Sequence, residues 1–390
     1  MKIVHVCLCG TFGEDYAYQD NLLPKFHHKL GHDVTIIAPI YCHINTQTGK
    51  DETAPCGEKY LADGIKLIRL APLIKNRVNI RLHLFKNLYK VLQQESPKLL
   101  FVHGIDSLSY TNCIRYARNN HNVYLVFDNH ADWNNSYHSK IAYYWAKHII
   151  KRIIVYPALK IAKQFYGVTP ARCSFLNEMY DIPTDKIKLL PFGADDDALK
   201  IGMKLTLRNE IRNQYSISPS DFLIVTGGKI DRRKNIHLLA EALLKIDNAS
   251  VKLLIFGAVN NDIKDYFSSL PSDRIIMAGW IPSNEVYKYF YAADFVIFPG
   301  LHSVLWEQML ATRVPCACTR IKGFEHMNYN GNCILLDNST VEYYRDIIDR
   351  VTKDDEYYMK LKNNADTDLA NQFRYSKIAQ QVLEDINFSY

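Results

Sequence analysis

Short apolar runs that alternate with helical segments recur along the whole chain, and this rhythm limits the fold more than any other feature. Runs of this length between helices are typical of strands buried on both faces of a parallel sheet. The sequence therefore predicts an α/β protein built on parallel sheets that helices cover on both sides. The predicted strands are Lys2–Leu8, Asp33–Ala38, Ile65–Leu70, Leu99–His103, Asn122–Phe127, Gln164–Val168, Ile187–Leu190, Phe222–Thr226, Val251–Phe256, Arg274–Ala278 and Phe295–Phe298.

The length of 390 residues predicts two domains, because single cores seldom grow much beyond roughly 200 residues. We place the first domain at residues 1–200 and the second at 201–375, with a C-terminal helix, residues 376–390, that packs back on the first. Three further segments receive an explicit prediction. They are a loop at residues 40–63, a helix at Asn79–Gln94 and a long helix at Ser139–Lys163 that bends near Pro157.

Positive charge is unevenly distributed in the first half. The formal net charge is only +6, but the stretches Ile65–Gln94 and Trp133–Asn177 contain no Asp or Glu. Such one-sided basic segments indicate an anionic partner, either a membrane surface or a polyanionic substrate. The nine cysteines are scattered without metal-ligand spacing, so we predict neither a disulfide framework nor a zinc site. With no apolar run long enough for a signal peptide or a membrane span, the expected compartment is the cytoplasm.

Glycine and polar residues follow two strands of the first half, where α/β proteins bind ligands. The first strand runs into the turn Gly10–Gly13, whose spacing is not that of a dinucleotide fingerprint. The run Asp128–Ser136 follows a later strand and contains His130. Polar residues crowded past a buried strand favour a functional site over a simple loop.

The strongest signal for an anion is the segment Gly227–Asn235. Two glycines allow a tight turn, and four basic residues then stand at a predicted helix start, where they oppose the helix dipole unless an anion binds. The alternative is a solvated basic loop. The spacing is not that of a Walker motif. The four residues are Lys229, Arg232, Arg233 and Lys234.

A second strand-to-helix junction lies at Phe298–Pro315. A buried strand ends in Pro-Gly, a helix is predicted to open around Ser303, and Glu307 falls near its first turn. Free N–H groups at such a junction suit nucleotide phosphates, and Glu307 could accept hydrogen bonds from ribose hydroxyls. An ordinary strand-to-helix connection is the alternative.

Several motifs, in the correct order, resemble those of glycosyltransferase family 4, as found in enzymes of capsular and surface polysaccharide synthesis. Gly228-Lys-Ile-Asp-Arg-Arg-Lys-Asn235 resembles the family's phosphate-clamping G-R-L-x-x-x-K-N. The Phe298–Pro315 stretch resembles its acidic donor motif, with Glu307 matching the second glutamate. The remaining matches are Gly31–Val34 with G-H-x-V, Asp181–Asp195 with the P-N-G-V-D region, and Ala278–Asp294 with the segment beside the nucleobase that ends in A-A-D.

The resemblance implies the GT-B fold, in which two Rossmann-like domains face a cleft. It also implies an N-terminal domain that binds the acceptor, a C-terminal domain that binds the nucleotide-sugar, and retaining, metal-independent transfer. His130 would contact the donor sugar, with His103 as a second candidate, and Lys229, Lys234 and Glu307 complete the implied catalytic set. The implied donor-binding residues are Gly10, Gly228, Arg232, Trp280, Ile281, His302, Ser303 and Val304.

Two positions depart from the family pattern. The family's first glutamate precedes the second by eight positions, which is Pro299 here, and His302-Ser303 occupies its place. Phe192 replaces the usual asparagine. The triplet Asp195–Asp197 matches the G-V-D position and is interpreted as structural rather than as a metal site.

The sequence thus predicts a retaining glycosyltransferase of the hexosyltransferase type. A UDP- or GDP-linked sugar would be its co-substrate, with no other cofactor, and the acceptor would be a saccharide or a lipid-linked saccharide. The alternatives are a nucleotide-sugar epimerase of the same architecture and a non-enzymatic glycan-binding or nucleotide-sugar-binding protein. No nucleic-acid module is recognisable.

Two predicted helices interleave basic and aromatic residues, which suits peripheral docking on the inner face of the cytoplasmic membrane. Solvated helices packed by their aromatic rings are the alternative. The first helix carries Arg77, Arg81, His83, Phe85, Lys86 and Tyr89, and the second carries Tyr143, Tyr144, Trp145, Lys147, His148, Lys151 and Arg152.

Overall fold

A computed structural model describes residues 1–44, 51–74, 82–136, 139–270 and 273–387. The chain divides into two compact units. Unit 1 comprises Met1–Pro191 and Tyr375–Tyr390, and unit 2 comprises Phe192–Arg374. The sequence placed the first boundary at residue 200. In the structure the boundary falls earlier, after Pro191, because Ala194 and Leu199 are buried in the core of unit 2.

Unit 1 is built on a sheet in the order β10-β9-β8-β7-β1-β2-β6-β5, in which β5 alone runs antiparallel to its neighbour. The central strands are apolar on both faces and separate two buried clusters, one on each side of the sheet. The strands of unit 1 are β1 (Lys2–Val6), β2 (Asp33–Pro39), β3 (Tyr41–Ile44), β4 (Asp51–Thr53), β5 (Gly57–Tyr60), β6 (Lys66–Leu70), β7 (Leu99–Val102), β8 (Tyr124–Asn129), β9 (Gln164–Gly167) and β10 (Ile187–Leu189).

Unit 2 is built on an entirely parallel sheet in the order β13-β12-β11-β14-β15-β16, the strand order of a Rossmann fold. Two apolar clusters again lie on its two faces. Its strands are β11 (Phe222–Gly227), β12 (Val251–Phe256), β13 (Ile275–Gly279), β14 (Phe295–Phe298), β15 (Cys316–Thr319) and β16 (Cys333–Leu336).

Helices connect the strands of both sheets, and the last helix returns to unit 1, where its residues Ile378, Ala379 and Val382 join the buried core. The α-helices are α1 (Gln19–Lys29), α2 (Leu88–Glu95), α3 (Tyr110–Asn119), α4 (Lys140–Tyr144), α5 (Tyr156–Leu159), α6 (Pro170–Tyr180), α7 (Asp196–Leu199), α8 (Lys204–Gln214), α9 (Ile236–Leu244), α10 (Lys264–Ser268), α11 (Val286–Ala292), α12 (Leu305–Leu310), α13 (Val341–Lys353), α14 (Asp355–Ala365) and α15 (Tyr375–Asn387).

The prediction of a loop at residues 40–63 is wrong. Strands β3 and β4 form a small antiparallel sheet there, and β5 pairs with β6 at the edge of the main sheet. All four residues of β5 are exposed, so the strand lacks the alternation of apolar and polar residues that reveals a half-buried strand. Backbone pairing at a sheet edge leaves no such trace in the sequence.

The predicted helix at Asn79–Gln94 is confirmed only in part, because Leu82 and the stretch from Leu88 onward are helical but residues 83–87 are not. His83 and Asn87 adopt left-handed backbone conformations, with φ of 48° and 62°. Phe85 instead pairs with Pro72 as an isolated bridge and is buried. Arg77 and Arg81 lie outside the described residues, and the basic-aromatic face predicted for this helix is not formed by the others.

The long helix predicted at Ser139–Lys163 changes its hydrogen-bonding pattern along its length, in addition to the bend that was expected near Pro157. Its central part, Trp145–Val155, has π-helical hydrogen bonding, and α-helical geometry resumes at Tyr156 with Pro157 in the first turn. The wider helix directs Ala146, Ile150 and Ile154 into the core. Strands β15 and β16 were not predicted, because each is only four residues long and includes cysteine. Within the described residues, no helix combines the length and the apolar character that crossing a membrane requires.

Asp294, the last residue of the A-A-D match, holds the end of the β14 strand to α8. Its carboxylate lies 2.6 Å from Nη2 of Arg208 and 3.2 Å from Nη1 of Arg212, and it accepts from the Leu223 N–H at 2.8 Å. Only 4% of the Arg212 side chain is exposed.

We predict that Asp294→Ala lowers the free energy of unfolding of unit 2 by about 3 kcal/mol, because it leaves a buried guanidinium without its carboxylate. Asp346→Ala is the matched control, since it removes a carboxylate whose partner Arg345 is exposed. Urea denaturation of both variants tests this. Equal midpoints for the two variants would show that the buried pair is not what stabilises this junction.

Candidate functional site

The topological switch point of unit 2 lies between β11 and β14, the central strands of its sheet. Strand β11 pairs with β12 on one side and with β14 on the other, so the connections leave in opposite directions and open a crevice at the strands' carboxyl ends. The loop Gly227–Asn235 follows β11, and the loop Pro299–Val304 follows β14. Both segments that the sequence selected therefore meet at this crevice.

Two glycines allow the backbones after β11 and β12 to touch. Gly228 has φ of +111° and donates its N–H to the Phe256 carbonyl at 3.0 Å. A Cβ on Gly257 would lie 1.8 Å from the Gly228 carbonyl oxygen, so no other residue fits there. The turn is thus narrow and brings its backbone close to whatever binds at the crevice.

The basic residues of the loop have different surroundings. Asp231 caps a 3₁₀ turn at Arg232–Lys234, accepts from the Arg233 N–H at 3.1 Å, and its carboxylate lies 2.6 Å from the Arg233 guanidinium. Lys229 and Arg232 are exposed. Asp231 therefore compensates one of the four positive charges of the loop, and anion binding by the others stays a prediction.

Lys234 connects the two loops. Its Nζ donates to the carbonyl of Leu301 at 2.5 Å and lies 3.3 Å from the carbonyl of His302. Burial lowers the pKa of Lys234. The Cα of Lys234 also packs so closely on Gly300 that a Cβ there would lie 2.4 Å away. The cation is consequently held beside the Pro299–Val304 loop by contacts that only a glycine at 300 permits.

A small cavity opens between these loops. The Thr226 hydroxyl at its wall is buried and has no hydrogen-bond partner among the described residues. A hydroxyl in that position is available to a ligand. The lining residues are Thr226, Gly227, Lys234, Ile236, Phe298, Pro299, Gly300, Leu301, Ser303 and Trp306.

Glu307 follows Trp306 of the cavity wall in α12 and is fully buried. His302 Nε2 lies 2.9 Å and 3.0 Å from its two carboxylate oxygens, and His326 Nε2 lies 3.1 Å from Oε1. Burial alone would raise the pKa of Glu307, but the two imidazoles lower it to about 2. The carboxylate is thus ionised and bound by two histidines, and it is not exposed to accept from a ribose as the sequence predicted.

His302 is enclosed by aromatic rings. Its ring centroid lies 4.6 Å from that of Phe324, 5.2 Å from that of Trp306 and 6.4 Å from that of Phe192. Phe192 is one departure from the family pattern, and His302 belongs to the turn that replaces the missing glutamate; their rings stack on each other at an interplanar angle of 19°. The two departures from the family pattern therefore alter the same small region of unit 2, because the side chains involved are in contact.

Unit 1 has its own switch point, between β1 and β7, and it too collects titratable groups. Asp128, at the end of β8, is fully buried and accepts from the Gly104 N–H at 2.7 Å. His103 Nδ1 lies 2.9 Å and His130 Nε2 3.2 Å from the same carboxylate oxygen. Burial would raise the pKa of Asp128, but the two imidazoles hold it well below its ordinary value.

Two family models match the chain, one on each unit. The model described as "Glycosyltransferase Family 4" matches residues 23–198, and that described as "Glycosyl transferases group 1" matches residues 208–368. The chain belongs to glycosyltransferase family 4. The recognition from sequence motifs is confirmed, and so is the predicted GT-B fold with its two Rossmann-like parallel sheets.

The relatives of this glycosyltransferase are distant. An uncharacterized glycosyltransferase of Methanocaldococcus jannaschii is 21% identical over 248 residues, which are 61% of this chain and 62% of that protein. The structure of Anabaena HepE in complex with UDP covers all of both chains at 14% identity, with a TM-score of 0.69. The structure of UDP-GlcNAc 2-epimerase from Neisseria meningitidis also covers all of both chains, at 13% identity with a TM-score of 0.61. Likeness at this identity shows the fold alone.

The other residues that the family resemblance implied have simpler surroundings. Gly10 is exposed, and a Cβ added there would meet nothing within 4 Å, so packing within unit 1 does not require a glycine. Trp280 is 72% exposed and Ile281 is half-buried. Ser303 accepts from the Trp306 N–H at 2.9 Å, and Val304 precedes α12, which begins at Leu305 and not around Ser303. Their roles in donor binding stay predictions.

Three sets of His, Cys or Asp atoms lie within 4.8 Å of one another in the described part of the chain. Two of these sets include His103, whose ring nitrogens already face protein partners and not an open coordination position. The third set consists of buried cysteines on adjacent strands of unit 2, and these serve as small core residues. Metal independence stays a prediction. The three sets are Cys7–Asp20–His103, His103–Asp128–His130 and Cys316–Cys318–Cys333.

Sequence reasoning missed three functional partners in this glycosyltransferase. Asp231 could have been identified, because Asp just before a basic helical turn is a common N-cap. Asp128 was included in the polar run after its strand, but its burial against His103 was not foreseen. His326 carries no local signal, since it lies 19 residues from Glu307 and is brought there only by the fold.

We predict that Glu307→Gln destabilises unit 2 at neutral pH and that the difference from the unaltered protein shrinks in acid. A carboxylate whose pKa is depressed to about 2 contributes stability above its unfolded pKa of about 4.5, and that contribution is lost as the pH falls toward 2. The difference should fall by on the order of 1 kcal/mol per pH unit below 4.5. Denaturant titrations at pH 7, 5 and 3.5 measure it.

The exposed carboxylate of Glu356 supplies the control. Glu356→Gln should differ little from the unaltered protein at any of the three pH values. If Glu307→Gln behaved in the same way, Glu307 would not be the buried anion described here.

Proposed function

We propose that the protein is a retaining, metal-independent hexosyltransferase that moves a sugar from a nucleotide-sugar to a saccharide or lipid-linked saccharide during polysaccharide or glycoconjugate synthesis. The observation that carries the donor half of this proposal is the arrangement at the unit 2 switch point. There, a glycine turn, the half-buried cation of Lys234 and the exposed cations of Lys229 and Arg232 surround one crevice. This arrangement suits a diphosphate.

Cations at this position promote transfer because charge develops on the departing diphosphate as its bond to the sugar breaks. Fixed positive groups stabilise that charge more in the transition state than in the bound donor, as a metal ion would. Lys234 is the best placed for this role, because its burial reduces competition from water. A donor phosphate would compete with the Leu301 and His302 carbonyls for its three N–H groups.

The structure of Anabaena HepE is known in complex with UDP and with UDP-glucose, which supports a UDP-linked donor here as the first to test. In unit 2 the aromatic enclosure of His302, rather than an exposed glutamate, would contact the sugar. In unit 1 we assign His130 to the reacting sugar, because it is 37% exposed while its Nε2 faces a buried carboxylate. A histidine oriented in this way can hydrogen-bond a ligand with its other edge.

A nucleotide-sugar epimerase is the second candidate, because the fold is similar to that of the Neisseria epimerase. A non-catalytic sugar-binding protein is the third. Incubation with a nucleotide-sugar alone separates them. Transferase activity predicts nucleotide release that depends on acceptor, epimerase activity predicts an altered sugar without acceptor, and a binding protein raises its melting temperature with ligand but turns nothing over.

We predict that Lys234→Ala lowers kcat/KM for transfer by about 10²–10³-fold, because it removes a fixed cation that stabilises the leaving group. Lys229→Ala should have a smaller effect in the same direction, since this lysine is exposed. Product formation from UDP-glucose with a saccharide acceptor is the measurement.

The matched control is Lys245→Ala at the other end of α9, which removes the same charge from an exposed pair with Glu342. Its activity should equal that of the unaltered protein. Full activity in both the Lys234 and the Lys229 variants would refute this donor site.

For the acceptor side, we propose docking of unit 1 on an anionic membrane through α4 and the π-helix that follows it. Large apolar side chains on this segment are exposed beside cations, which suits an interfacial helix. Lys151 is not part of that surface, because it is buried and forms an ion pair with Asp181. The exposed apolar residues are Ile141 at 81%, Tyr144 at 59% and Ile153 at 41%.

We predict that Lys147→Glu with Arg152→Glu abolishes co-sedimentation with vesicles that contain anionic lipid, because each basic residue near such a surface contributes about 1 kcal/mol. The control pair is Arg118→Glu with Lys377→Glu, two exposed residues elsewhere on unit 1. Equal sedimentation of both variants would count against docking through this segment.

A further inference from the structure

A row of three buried histidines leads inward from the Asp128 carboxylate, and the proposed transfer reaction does not use it. His103 Nε2 lies 2.9 Å from His5 Nδ1, and His5 Nε2 lies 3.0 Å from His27 Nδ1. His27 Nε2 lies 3.2 Å from the carbonyl of Ala379 on α15. The three side chains come from β1, α1 and the end of β7, and all of them are buried.

The Ala379 carbonyl, at the inner end of this row, determines which ring nitrogens carry hydrogen. The Ala379 carbonyl can only accept, so His27 Nε2 must carry a hydrogen. A neutral His27 then accepts at Nδ1, which makes His5 Nε2 a donor and His5 Nδ1 an acceptor. His103 Nε2 must therefore donate to His5.

If the hydrogen bonds of the row ran in the opposite direction, His27 would have to be charged. If His5 donated from Nδ1 and accepted at Nε2, His27 would have to carry hydrogen on both nitrogens. Burial lowers the pKa of His27 to about 3 and that of His5 well below its ordinary value. A cation on His27 is therefore excluded, and the direction from His103 to His5 remains.

The second nitrogen of His103 must also carry a hydrogen. Its Nδ1 lies 2.9 Å from Asp128 Oδ2 and 3.2 Å from Asp20 Oδ1, and an unprotonated nitrogen would repel both carboxylates. With hydrogen on both nitrogens, His103 is an imidazolium. Burial opposes that charge, but the carboxylates of Asp128 and Asp20 raise the pKa of His103 to about 10.

The titratable groups nearest to His103 in the described residues come from several segments. Asp20 faces it from α1 and Asp128 from β8, His5 comes from β1, and Cys7 and Cys9 come from the segment that follows β1. His27 lies one ring further along the row. The thiols are neutral, since burial raises the pKa of both. Gln19 also donates to Asp128 Oδ2 at 3.0 Å. Two carboxylates and one imidazolium thus meet at a site from which water is largely excluded.

We propose that His103 is a permanently charged positioning residue, which balances the buried Asp128 carboxylate so that Asp128 orients His130 through its Nε2. The orientation of His130 matters for transfer only if the function proposed above is correct, whereas the charge on His103 does not depend on it. Asp128 Oδ2 then accepts from His103 Nδ1 and from His130 Nε2. The row through His5 to α15 prevents the His103 ring from turning.

Nitrogen-15 NMR of the full chain labelled at histidine tests the charge directly. At pH 8 the spectrum of His103 should show hydrogen on both nitrogens, and the spectra of His5 and His27 should be those of neutral rings with hydrogen on Nε2. His103→Gln assigns the charged ring by its disappearance. A neutral His103 in the unaltered protein at pH 8 would overturn the proposal, even if the variant failed to fold.

The positioning of His130 by His103 and Asp128 is tested by separate measurements, the His130 spectrum and the kinetic constants. In His103→Gln the buried carboxylate loses its counter-charge, so the proton distribution on His130 should change from the single Nε2 form. The kcat should fall by at least tenfold, while KM for the donor changes by less than twofold. His121→Gln, which removes an exposed histidine of unit 1, is the control and should alter neither.

An unchanged His130 spectrum in His103→Gln would overturn the positioning role. A protein without any transferase activity would refute the proposed function alone, because the two NMR readouts would still decide the proposal on His103.

Discussion

The constraint on which both sites depend is the reversal of connection direction at the centre of each parallel sheet. Strands β1 and β11 each have neighbours on both sides, and the chain leaves them in opposite directions. Covering helices then cannot close the carboxyl ends of these strands, so polar groups can gather there without interrupting the core. In unit 2 the result is a crevice with free cations, and in unit 1 it is a buried network around Asp128.

The protein neutralises each buried carboxylate at these sites by a different means. Asp294 binds two arginines and contributes to stability, and Glu307 binds two histidines. Asp128 contacts His103 and His130, and His103 is itself held by a row of further histidines. Desolvating a carboxylate costs several kcal/mol, so each one persists only with close partners. Histidine partners add something that arginine cannot, because a ring with two distinct nitrogens transmits orientation to the next group.

The sequence predicted those features that depend on local patterns. Apolar runs located most of the β-strands of the two main sheets, although not β5, β15 or β16, and the unfavourable placement of Lys229–Lys234 near a helix start pointed to the crevice of unit 2. Features that depend on distant contacts were not predictable. Strand β5 is exposed and is ordered by pairing with β6, and the partners of Glu307 and Asp128 come from loops and strands elsewhere in the chain. The π-helical hydrogen bonding of Trp145–Val155 was not predictable either, because its buried residues Ala146, Ile150 and Ile154 have the spacing of an ordinary α-helix.

The two departures from the family pattern have a common physical consequence at the donor site. Where relatives would present a carboxylate, this chain has Pro299, and the nearby His302 stacks on Phe192 and binds the buried Glu307. A carboxylate accepts hydrogen bonds strongly from sugar hydroxyls, whereas an aromatic ring contacts the apolar face of a sugar and leaves its hydroxyls to water. If the function proposed above is correct, the donor pocket would select by the shape of the sugar face more than by the positions of individual hydroxyls. Because His302 is fixed through Glu307 to His326, that selection would extend to a residue with no place in the motif itself.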